Sequence, residues 1–288
     1  MEVSDYMKII RLNEKSTLYL VSTPIGNLSD MTFRAVKTLN EVDKIYAEDT
    51  RTSGVLLQHY KISTPCHSYH KYNEENRIET LIEDLRQGLN IALISDAGTP
   101  LISDPGESLV KTIIEEGFFV THIPGPTAFV SGLILSGKTA HPFLFYGFLP
   151  SKTNERDKIL KSLQILPFTL VFYEAPHRIK NTLSALNNCL GNRNVSVVKE
   201  ITKFYETGYH FKLNDHLDFP EPKGEMVIIV EGFQDKQSFD ISDLIEHIKL
   251  NIEDGLSEME AIKKVAKSRK MKKNDVYMTF QKYKNELN

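Results

Sequence analysis

The sequence predicts an α/β protein with two α/β domains and a small C-terminal helical extension. Between residues 18 and 123, short apolar runs alternate with amphipathic stretches, which is typical of repeated βα units. Between residues 126 and 232, the apolar runs are longer and the helical stretches are fewer than in the preceding region. A polar break, GFQDKQS, then precedes three short helical stretches. We therefore divide the chain into an N-terminal tail (1–17), two α/β domains (18–125 and 126–233) and an extension (240–288).

In the first domain, the apolar runs predict strands and the stretches between them predict helices. The predicted strands are Leu18–Val21, Lys44–Asp49, the TPCHSYH segment, IALIS and Phe118–Ile123. Ser29 or Asp30 is expected to cap a helix that carries Phe33, Val36, Leu39 and Val42 at three-residue spacing. Further helices are predicted near Gly54–Tyr60, across Glu74–Gln87 and from Asp104 and Pro105 onward. Repeated βα units imply a mostly parallel sheet.

The second domain opens with a helix that the Pro124–Pro126 turn should start. Strands are predicted at Phe143–Pro150, Phe168–Pro176, Asn194–Thr202 and Gly224–Gly232, and helices near Thr153–Leu166 and His177–Leu190. Tyr205–Leu213 alternates in polarity and predicts an antiparallel ribbon, so this sheet should be mixed. In the extension, helices are predicted at Ile241–Leu250, Ser257–Ser268 and Asn274–Asn285, and Ser257 with Glu260 has capping-box spacing.

Composition limits the classes of protein. A formal net charge of −3 gives no whole-chain argument for nucleic acid, but Lys263–Lys284 holds nine Lys or Arg and one acid. That segment is either a solvated helical face or a polyanion contact. Two cysteines are too few for a disulfide framework or a metal knuckle, so we expect no metal. Without a signal-peptide core or a membrane-length apolar run, we expect a soluble, cytoplasmic protein.

Two glycine-proline loops, Ser22–Asp30 and Ser95–Gly106, each follow a predicted buried strand. A strand that stops at a glycine turn presents backbone N–H and C=O groups at the carboxyl edge of the sheet. Open α/β folds bind small ligands at that edge. Neither loop contains G-x-G-x-x-G or G-x-x-x-x-G-K-[ST]. The ligand is therefore not expected to be held mainly by phosphates.

Eight motifs occur in order: TPIGNLSD, EDTR, SDAGTPLISDPG, IPGPTAF, YGFLP, FYEAPHR, KEITK and KGE. Together they closely resemble the small-subunit ribosomal RNA methyltransferases of the tetrapyrrole methylase-like superfamily, over residues 18–232. The resemblance implies two α/β domains with S-adenosylmethionine in the cleft between them. It also implies 2′-O-methylation of a cytidine ribose in 16S ribosomal RNA, and commonly a homodimer. A small-molecule methylase of the same fold and a non-catalytic RNA-binding module are the alternatives.

The resemblance further implies which residues bind the cofactor. Thr99 stands in the place of the acidic residue of the superfamily's related G-D-P turn, and Thr127 with Ala128 matches a pair that commonly reaches the cofactor. The implied cofactor-binding residues are Pro24, Gly26, Asp96, Gly98, Thr99, Pro100, Ile102, Thr127, Ala128, Tyr173, Ile201 and Gly224.

The ribose hydroxyl must lose a proton during methylation, and a placed base typically accelerates such a step by about 10²–10⁴-fold. The candidate bases are Glu174, His177, Lys199, Glu200 and Asp49. We rank Glu174 first, then Lys199, then Glu200.

Basic residues predict the RNA contacts. The planar fork of Arg178 suits a phosphate, although Arg178 and Glu174, four residues apart, could instead brace a helix start. Arg51 either faces RNA or pairs with a carboxylate. Lys270, Lys272 and Lys273 surround a helix-turn-helix-like turn and are predicted to contact RNA. The alternative is that the C-terminal helices are a dimerisation or capping appendage.

Overall fold

The computed structural model describes residues 16–69, 74–104, 106–220, 224–234, 241–269 and 271–287. The chain forms two compact units that divide between Phe233 and Gln234. The first unit contains two five-stranded sheets, and the second contains three helices. The predicted fold class is confirmed. The division of the first unit into domains at residue 125 stays a prediction.

The first sheet is entirely parallel, with strand order β3-β2-β4-β1-β5. Its strands are β1 (Thr17–Val21), β2 (Lys44–Ala47), β3 (Cys66–Ser68), β4 (Ile91–Ile94) and β5 (Phe119–Ile123). The helices between them are α1 (Phe33–Glu41), α2 (Thr50–His59), α3 (Glu74–Arg86) and α4 (Glu107–Glu115). All four residues of β4 are buried, as expected for a strand covered by helices on both faces.

The predicted cap of α1 is wrong, because Asn27 caps a short 3₁₀ turn at Leu28–Asp30 and the helix begins later, with Thr32 as its N-cap. Of the predicted apolar face, Leu39 and Val42 are buried and Val36 packs against the same core. Only Phe33, the first helical residue, is misplaced, since it is 98% exposed. Similarly, α2 begins at Thr50 rather than near Gly54, because the Asp49 side chain caps its N-terminus.

The second sheet is mixed, with strand order β6-β7-β10-β8-β9. Its elements are α5 (Ala128–Leu135), β6 (Phe143–Phe148), α6 (Thr153–Leu163), β7 (Thr169–Glu174), α7 (Ile179–Leu190), β8 (Asn194–Lys199), β9 (Thr207–Lys212) and β10 (Met226–Val230). β6 and β7 pair in parallel, and the other neighbours are antiparallel. Both the mixed sheet and the antiparallel ribbon were predicted, and both are confirmed.

The central strand β10 is buried along its whole length. Helices α6 and α7 cover one face of the sheet, where Ile228 joins their core, and α5 covers the other. A Cβ on Gly132 of α5 would lie 2.8 Å from the Cβ of Val227, so this glycine lets α5 pack closely on β10. The packing fixes the N-terminus of α5 near the carboxyl ends of the first sheet's strands.

The C-terminal unit consists of α8 (Ile241–Glu253), α9 (Glu258–Ser268) and α10 (Lys273–Leu287). Its core includes Ile248, Ile262, Val265, Val276 and Phe280. The predicted capping box is confirmed: the Ser257 hydroxyl accepts from the Glu260 N–H, and the Glu260 carboxylate accepts from the Ser257 N–H. Within the described ranges, every helix is too short or too polar to cross a membrane.

Candidate active site

The two glycine-proline loops are joined to each other by backbone hydrogen bonds. Because β1 and β4 are neighbours in the sheet, the loops leave it side by side. The Thr23 N–H donates to the Gly98 carbonyl (2.8 Å), and the Gly98 N–H donates to the Thr23 carbonyl (3.1 Å). Gly98 has φ +86°, and a Cβ there would lie 3.3 Å from Cγ2 of Ile25. Glycine therefore permits both the left-handed backbone and the close approach.

A hydroxyl network ties in a third loop, the Pro124–Pro126 turn. The Thr99 Oγ1 lies 2.7 Å from the Thr127 Oγ1 and 3.0 Å from the Ser22 Oγ. The Ser22 hydroxyl also lies 3.0 Å from Nε2 of His122, whose pKa is lowered by burial. Three chain segments are thus held in one arrangement. The sequence placed Ser22 at the start of the first glycine-proline loop without indicating a role for it, and it did not indicate His122 as a site residue.

A cavity of about 310 Å³ lies where these loops face the second sheet. This volume is at the lower end of the range for small-molecule sites. Its lining includes predicted site residues from both halves of the unit: Asp96, Gly98, Thr99, Ile102, Thr127, Ala128, Tyr173, Glu200 and Ile201. It also includes residues that the sequence did not indicate as site residues: Ile25, Glu48, Ala97, Ser103, Asp104, Phe148, Lys203, Met226 and Val227. Glu225, the last residue of the KGE motif, lines it as well.

Four predicted cofactor residues lie beside the cavity rather than in its lining. Pro24 and Pro100 are buried. Gly26 is exposed but lies against the Lys203 side chain, since a Cβ there would be 2.6 Å from the Lys203 Cε. At Gly224, φ is +83° and a Cβ would overlap the Glu200 carboxylate. These glycines and prolines shape the wall and position the residues that line it.

Tyr173 links the second sheet to the start of α5. Its hydroxyl oxygen accepts a hydrogen bond from the Phe129 N–H (3.1 Å). Burial raises the pKa of Tyr173 to about 12, with Asp104 and Glu225 adding to the rise and the Phe129 hydrogen bond opposing it. The phenol is therefore neutral at physiological pH, and it supplies a flat apolar wall with one polar tip.

Carboxylates converge on the cavity. Burial raises the pKa of Asp104 to about 6, helped by the nearby charges of Glu48, Asp96 and Glu225, although a hydrogen bond from Ser95 opposes the rise. Two residues that precede Asp104 in its loop, Leu101 and Ser103, both have φ +71°. Such strain clusters at functional sites, because the surrounding structure must hold it. Asp104 lies in the SDPG turn of the sequence, but the sequence alone does not indicate that its pKa is raised.

Glu174 is not placed to act as the base, and its first rank is corrected. Its side chain is fully buried and lies outside the cavity lining. Nε of Arg178 lies 3.2 Å from one carboxylate oxygen, the Thr182 hydroxyl donates to the other, and the Ala175 N–H donates at 2.8 Å. The alternative interpretation, in which Glu174 and Arg178 brace the start of α7, fits this geometry. The Arg178 side chain is also engaged within the protein rather than directed at RNA, because it donates a second hydrogen bond to the Leu149 carbonyl (2.6 Å).

The other candidate bases differ in position. Lys199 ends β8 and, like His177, does not line the cavity. Glu200 does line it, but its carboxylate is paired with Lys203 at 2.9 Å. Asp49 accepts from the Arg51 side chain and N–H, and these contacts lower its pKa to about 2. Such a weakly basic carboxylate is poorly suited to take a hydroxyl proton.

The predicted RNA-binding residues lie on two surfaces. Arg51 is exposed and pairs with Asp49 at 2.7 Å, the carboxylate alternative considered above. Lys272 and Lys273 are exposed at the start of α10, and Lys270 lies outside the described residues. Lys263, Lys264 and Lys267 are exposed on α9. Across the described parts of the chain, no set of three His, Cys, Asp or Glu side chains is close enough to hold a metal ion.

Fold and cavity together define a class of protein. A cavity walled by main chain, hydroxyls and carboxylates at the carboxyl ends of parallel strands suits a small ligand that is not anchored by phosphates. The protein is therefore an α/β protein with a small-ligand site where its two sheets face each other. A family model for the Tetrapyrrole (Corrin/Porphyrin) Methylases matches residues 17–216, and the chain belongs to this family.

Curated relatives and solved structures agree with this assignment. Ribosomal RNA small subunit methyltransferase I of Halalkalibacterium halodurans is 45% identical over 273 residues, covering 92% of this chain and 94% of the relative. The protein of the same name from Bacillus subtilis is 43% identical over 274 residues, with the same coverage. Two solved structures share the fold. The methyltransferase CobJ has a TM-score of 0.58 and 16% sequence identity, covering 75% of this chain and 94% of that one. A diphthine synthase has a TM-score of 0.59 and 11% identity, covering 75% of this chain and 89% of that one. The chain is a methyltransferase, and S-adenosylmethionine is its methyl donor.

Proposed function

We propose that this enzyme methylates the ribose 2′-hydroxyl of a cytidine in 16S ribosomal RNA of the small subunit. The names of its relatives and the eight ordered motifs support this substrate. The observation that carries the chemistry is a single cavity that combines a main-chain ligand wall with a carboxylate of raised pKa, Asp104. Because ribosomal RNA is made and assembled in the bacterial cytoplasm, we propose that the enzyme acts there.

The residues present fit S-adenosylmethionine. Gly98 leaves space where a side chain would meet Ile25, and the hydroxyls of Thr99 and Thr127 offer hydrogen bonds to a nucleoside. Ile201 and Val227 supply an apolar wall for a base, and the carboxylates balance a positive charge. When bound, S-adenosylmethionine supplies a methyl carbon activated by a sulfonium.

We assign the general base to Asp104. With its pKa near 6, the carboxylate is ionised at neutral pH and more basic than an ordinary aspartate, which matches the pKa that favours proton transfer. In this mechanism Asp104 accepts the 2′-hydroxyl proton on a carboxylate oxygen and later releases it to water. Alignment of the two reactants can lower the reaction barrier by ~7–11 kcal/mol. The base and this alignment are therefore the two main contributions to catalysis.

Mass mapping of ribose methylation in 16S RNA tests the substrate. Cells that lack this protein should lose one 2′-O-methyl cytidine, and re-expression should restore it. An Asp104→Asn copy serves as the matched control, because it should leave the site unmethylated at equal protein level. An unchanged methylation map in the deletion strain would contradict the proposal.

The exposed lysines of the C-terminal unit are proposed to contact RNA. Lys272 and Lys273 lie at the turn between α9 and α10, and the further exposed lysines Lys263, Lys264 and Lys267 lie on α9. Lysines that neutralise phosphates release counterions, which makes binding depend steeply on salt. The charge distribution therefore favours the RNA contact over a dimerisation role.

A double Lys272→Glu/Lys273→Glu exchange should weaken binding to small subunits by at least about tenfold near physiological salt and flatten the salt dependence. Binding is measured by filter retention between low and moderate salt. Lys37→Glu with Lys152→Glu, two exposed lysines of the first unit, is the charge-matched control. Equal loss in both doubles would show a general charge effect and refute the assignment.

We propose that the enzyme is a homodimer, as expected from its resemblance. Helix α5 is apolar except for Ser131 and exposes Val130, Ile134 and Leu135. The edge strand β6 exposes Phe143 beside this helix. The ring of Phe129, on α5, connects the two elements, because its centroid lies 6.2 Å from that of the Phe143 ring. A contiguous apolar face at an open sheet edge favours association.

Ile134→Glu should dissociate the dimer, because Ile134 is 71% exposed at the centre of this face and a buried carboxylate would be unpaired there. Sedimentation velocity over a range of protein concentrations measures the change. Ile165→Glu is the control, since Ile165 is equally exposed just beyond α6. A dimer that survives Ile134→Glu would place the interface elsewhere.

A further inference from the structure

The loop between β8 and β9, residues 200–206, presents two aromatic rings to solvent. Phe204 is 93% exposed and Tyr205 is 71% exposed. Their ring centroids are 5.0 Å apart at 89°, an edge-to-face pair. Aromatic side chains usually bury most of their surface. Two adjacent rings that are both largely exposed therefore indicate a surface that binds a ligand.

The same loop forms part of the active-site wall. Glu200, Ile201 and Lys203 line the cavity directly before the aromatic pair. The Lys203 side chain lies over Gly26 of the first glycine-proline loop, where a Cβ would be 2.6 Å from the Lys203 Cε. The two rings therefore sit next to the point where both halves of the unit meet at the edge of the cavity.

Internal hydrogen bonds hold the loop in a strained conformation. Glu200 and Thr202 have φ +52° and +68°. The Thr202 N–H donates to the Glu206 carboxylate (2.7 Å), the Lys203 N–H donates to the Glu200 carbonyl (3.0 Å), and the Glu206 N–H donates to the Lys203 carbonyl (3.1 Å). Strain of this kind persists only where other contacts over-determine the backbone. The backbone that carries the two rings is thus held in one conformation.

We propose that Phe204 and Tyr205 form a stacking platform for an unpaired nucleobase of the RNA substrate at the mouth of the active site. The inference rests on the proposed function. A nucleotide that presents its 2′-hydroxyl to a cavity must leave regular A-form stacking, and single-stranded bases are recognised by stacking on aromatic side chains.

A protein partner fits this surface less well. Two rings on one short loop offer far less area than a stable protein interface needs. The larger apolar face of α5 and β6 is the one proposed for the dimer. Continuity with the cavity therefore selects the RNA as the occupant.

Steady-state kinetics tests the platform. The substrates are small ribosomal subunits from cells that lack the protein, with radiolabelled S-adenosylmethionine. Phe204→Ala and Tyr205→Ala should each raise KM for the subunits, and the double variant should raise it by roughly 5- to 100-fold. Because neither ring lines the cavity, kcat and the affinity for S-adenosylmethionine should stay unchanged. Phe204→Tyr should retain the wild-type KM.

Leu217→Ala is the matched control. Leu217 is an exposed apolar residue beyond the far end of β9, and its loss should not affect KM.

Fluorescence provides a direct readout. The chain contains no tryptophan, so Phe204→Trp introduces a single reporter. Stacking of a nucleobase on the indole should quench its emission when unmethylated small subunits are added. Leu217→Trp, in the same titration, corrects for absorption by the RNA and should show no further quenching.

The outcomes separate the two proposals. If wild-type protein transfers no methyl group to small subunits, the proposed function fails and the platform fails with it. If wild-type protein is active but both alanine variants keep the wild-type KM, the platform is wrong and the function stands. A Phe204→Ala variant with weakened self-association would assign the rings to a protein contact and would also overturn the platform.

Discussion

Asp104→Asn is expected to lower kcat by about 10²–10⁴-fold, the usual contribution of a placed base. The amide keeps the size and the hydrogen-bonding capacity of the side chain but cannot accept the hydroxyl proton at neutral pH. Methyl transfer to unmethylated small subunits under saturating substrates measures the effect. Asp49→Asn is the control carboxylate, because Asp49 lies outside the cavity lining and is already paired with Arg51.

The pH dependence gives a second readout of the same residue. The carboxylate is the active form, so wild-type kcat/KM should rise with pH through about 6 and level off above it. Glu48→Gln removes a charge that raises the pKa of Asp104, and should move this rise to lower pH. If Asp104→Asn retained activity within tenfold of wild type and kept the acid limb, another group would be the base.

The free energy of unfolding should fall as pH rises, opposite to the rise expected for kcat/KM. The folded pKa of Asp104 is about 6, above the ordinary value of 3.8, so between these values the native state binds more protons than the unfolded state. The free energy of unfolding therefore falls as pH rises through this window, and the full penalty is present above pH 6. Asp104→Asn should be more stable than wild type at pH 8, and the difference should shrink at pH 5. Urea unfolding at the two pH values measures it.

Gly98→Trp is expected to reduce the affinity for S-adenosylmethionine at least about 100-fold, because a ring would occupy the cavity. Gly98 lines the cavity, and even a single Cβ there would meet Ile25 at 3.3 Å. Isothermal calorimetry measures the affinity.

The matched control for this change is Gly88→Trp. Gly88 also has a positive φ, +92°, but its Cβ direction is open. Both variants therefore carry the backbone strain of a left-handed non-glycine residue, and only one fills the cavity. Tight binding by Gly98→Trp would mean that the cofactor lies elsewhere.

Apolar patterning was a reliable guide to the elements and a weaker guide to their ends. Strand β10 is a run of five apolar residues, which is typical of a central strand covered on both faces. The start of α1 was misplaced at Ser29 or Asp30 because several good capping residues follow one another here, and the sequence does not show that Asn27 closes a separate 3₁₀ turn before Thr32 caps the helix. Three-residue spacing correctly predicted the burial of Leu39 and Val42, but it wrongly included Phe33, which lies exposed in the first turn.

For the candidate site, the loops were predictable and the roles of the charged residues were not. Glu174 and Asp104 both sit in conspicuous motifs, FYEAPHR and SDAGTPLISDPG. Arg178 and Thr182 enclose Glu174, whereas Asp104 shares a cavity with Glu48 and Glu225. A side chain's proton affinity depends on its burial and its neighbours, and those neighbours come from distant parts of the chain.

The sequence by itself determined the order of strands and helices, the two glycine turns and the family, because these depend on local backbone preferences and on motifs read in order. Only the tertiary structure decided which carboxylate faces the cavity and which is locked in an ion pair. It also decided that Phe204 and Tyr205 stand beside the cavity mouth. The physical reason is that electrostatic environment and exposure arise from packing between remote segments, which residue order alone does not specify.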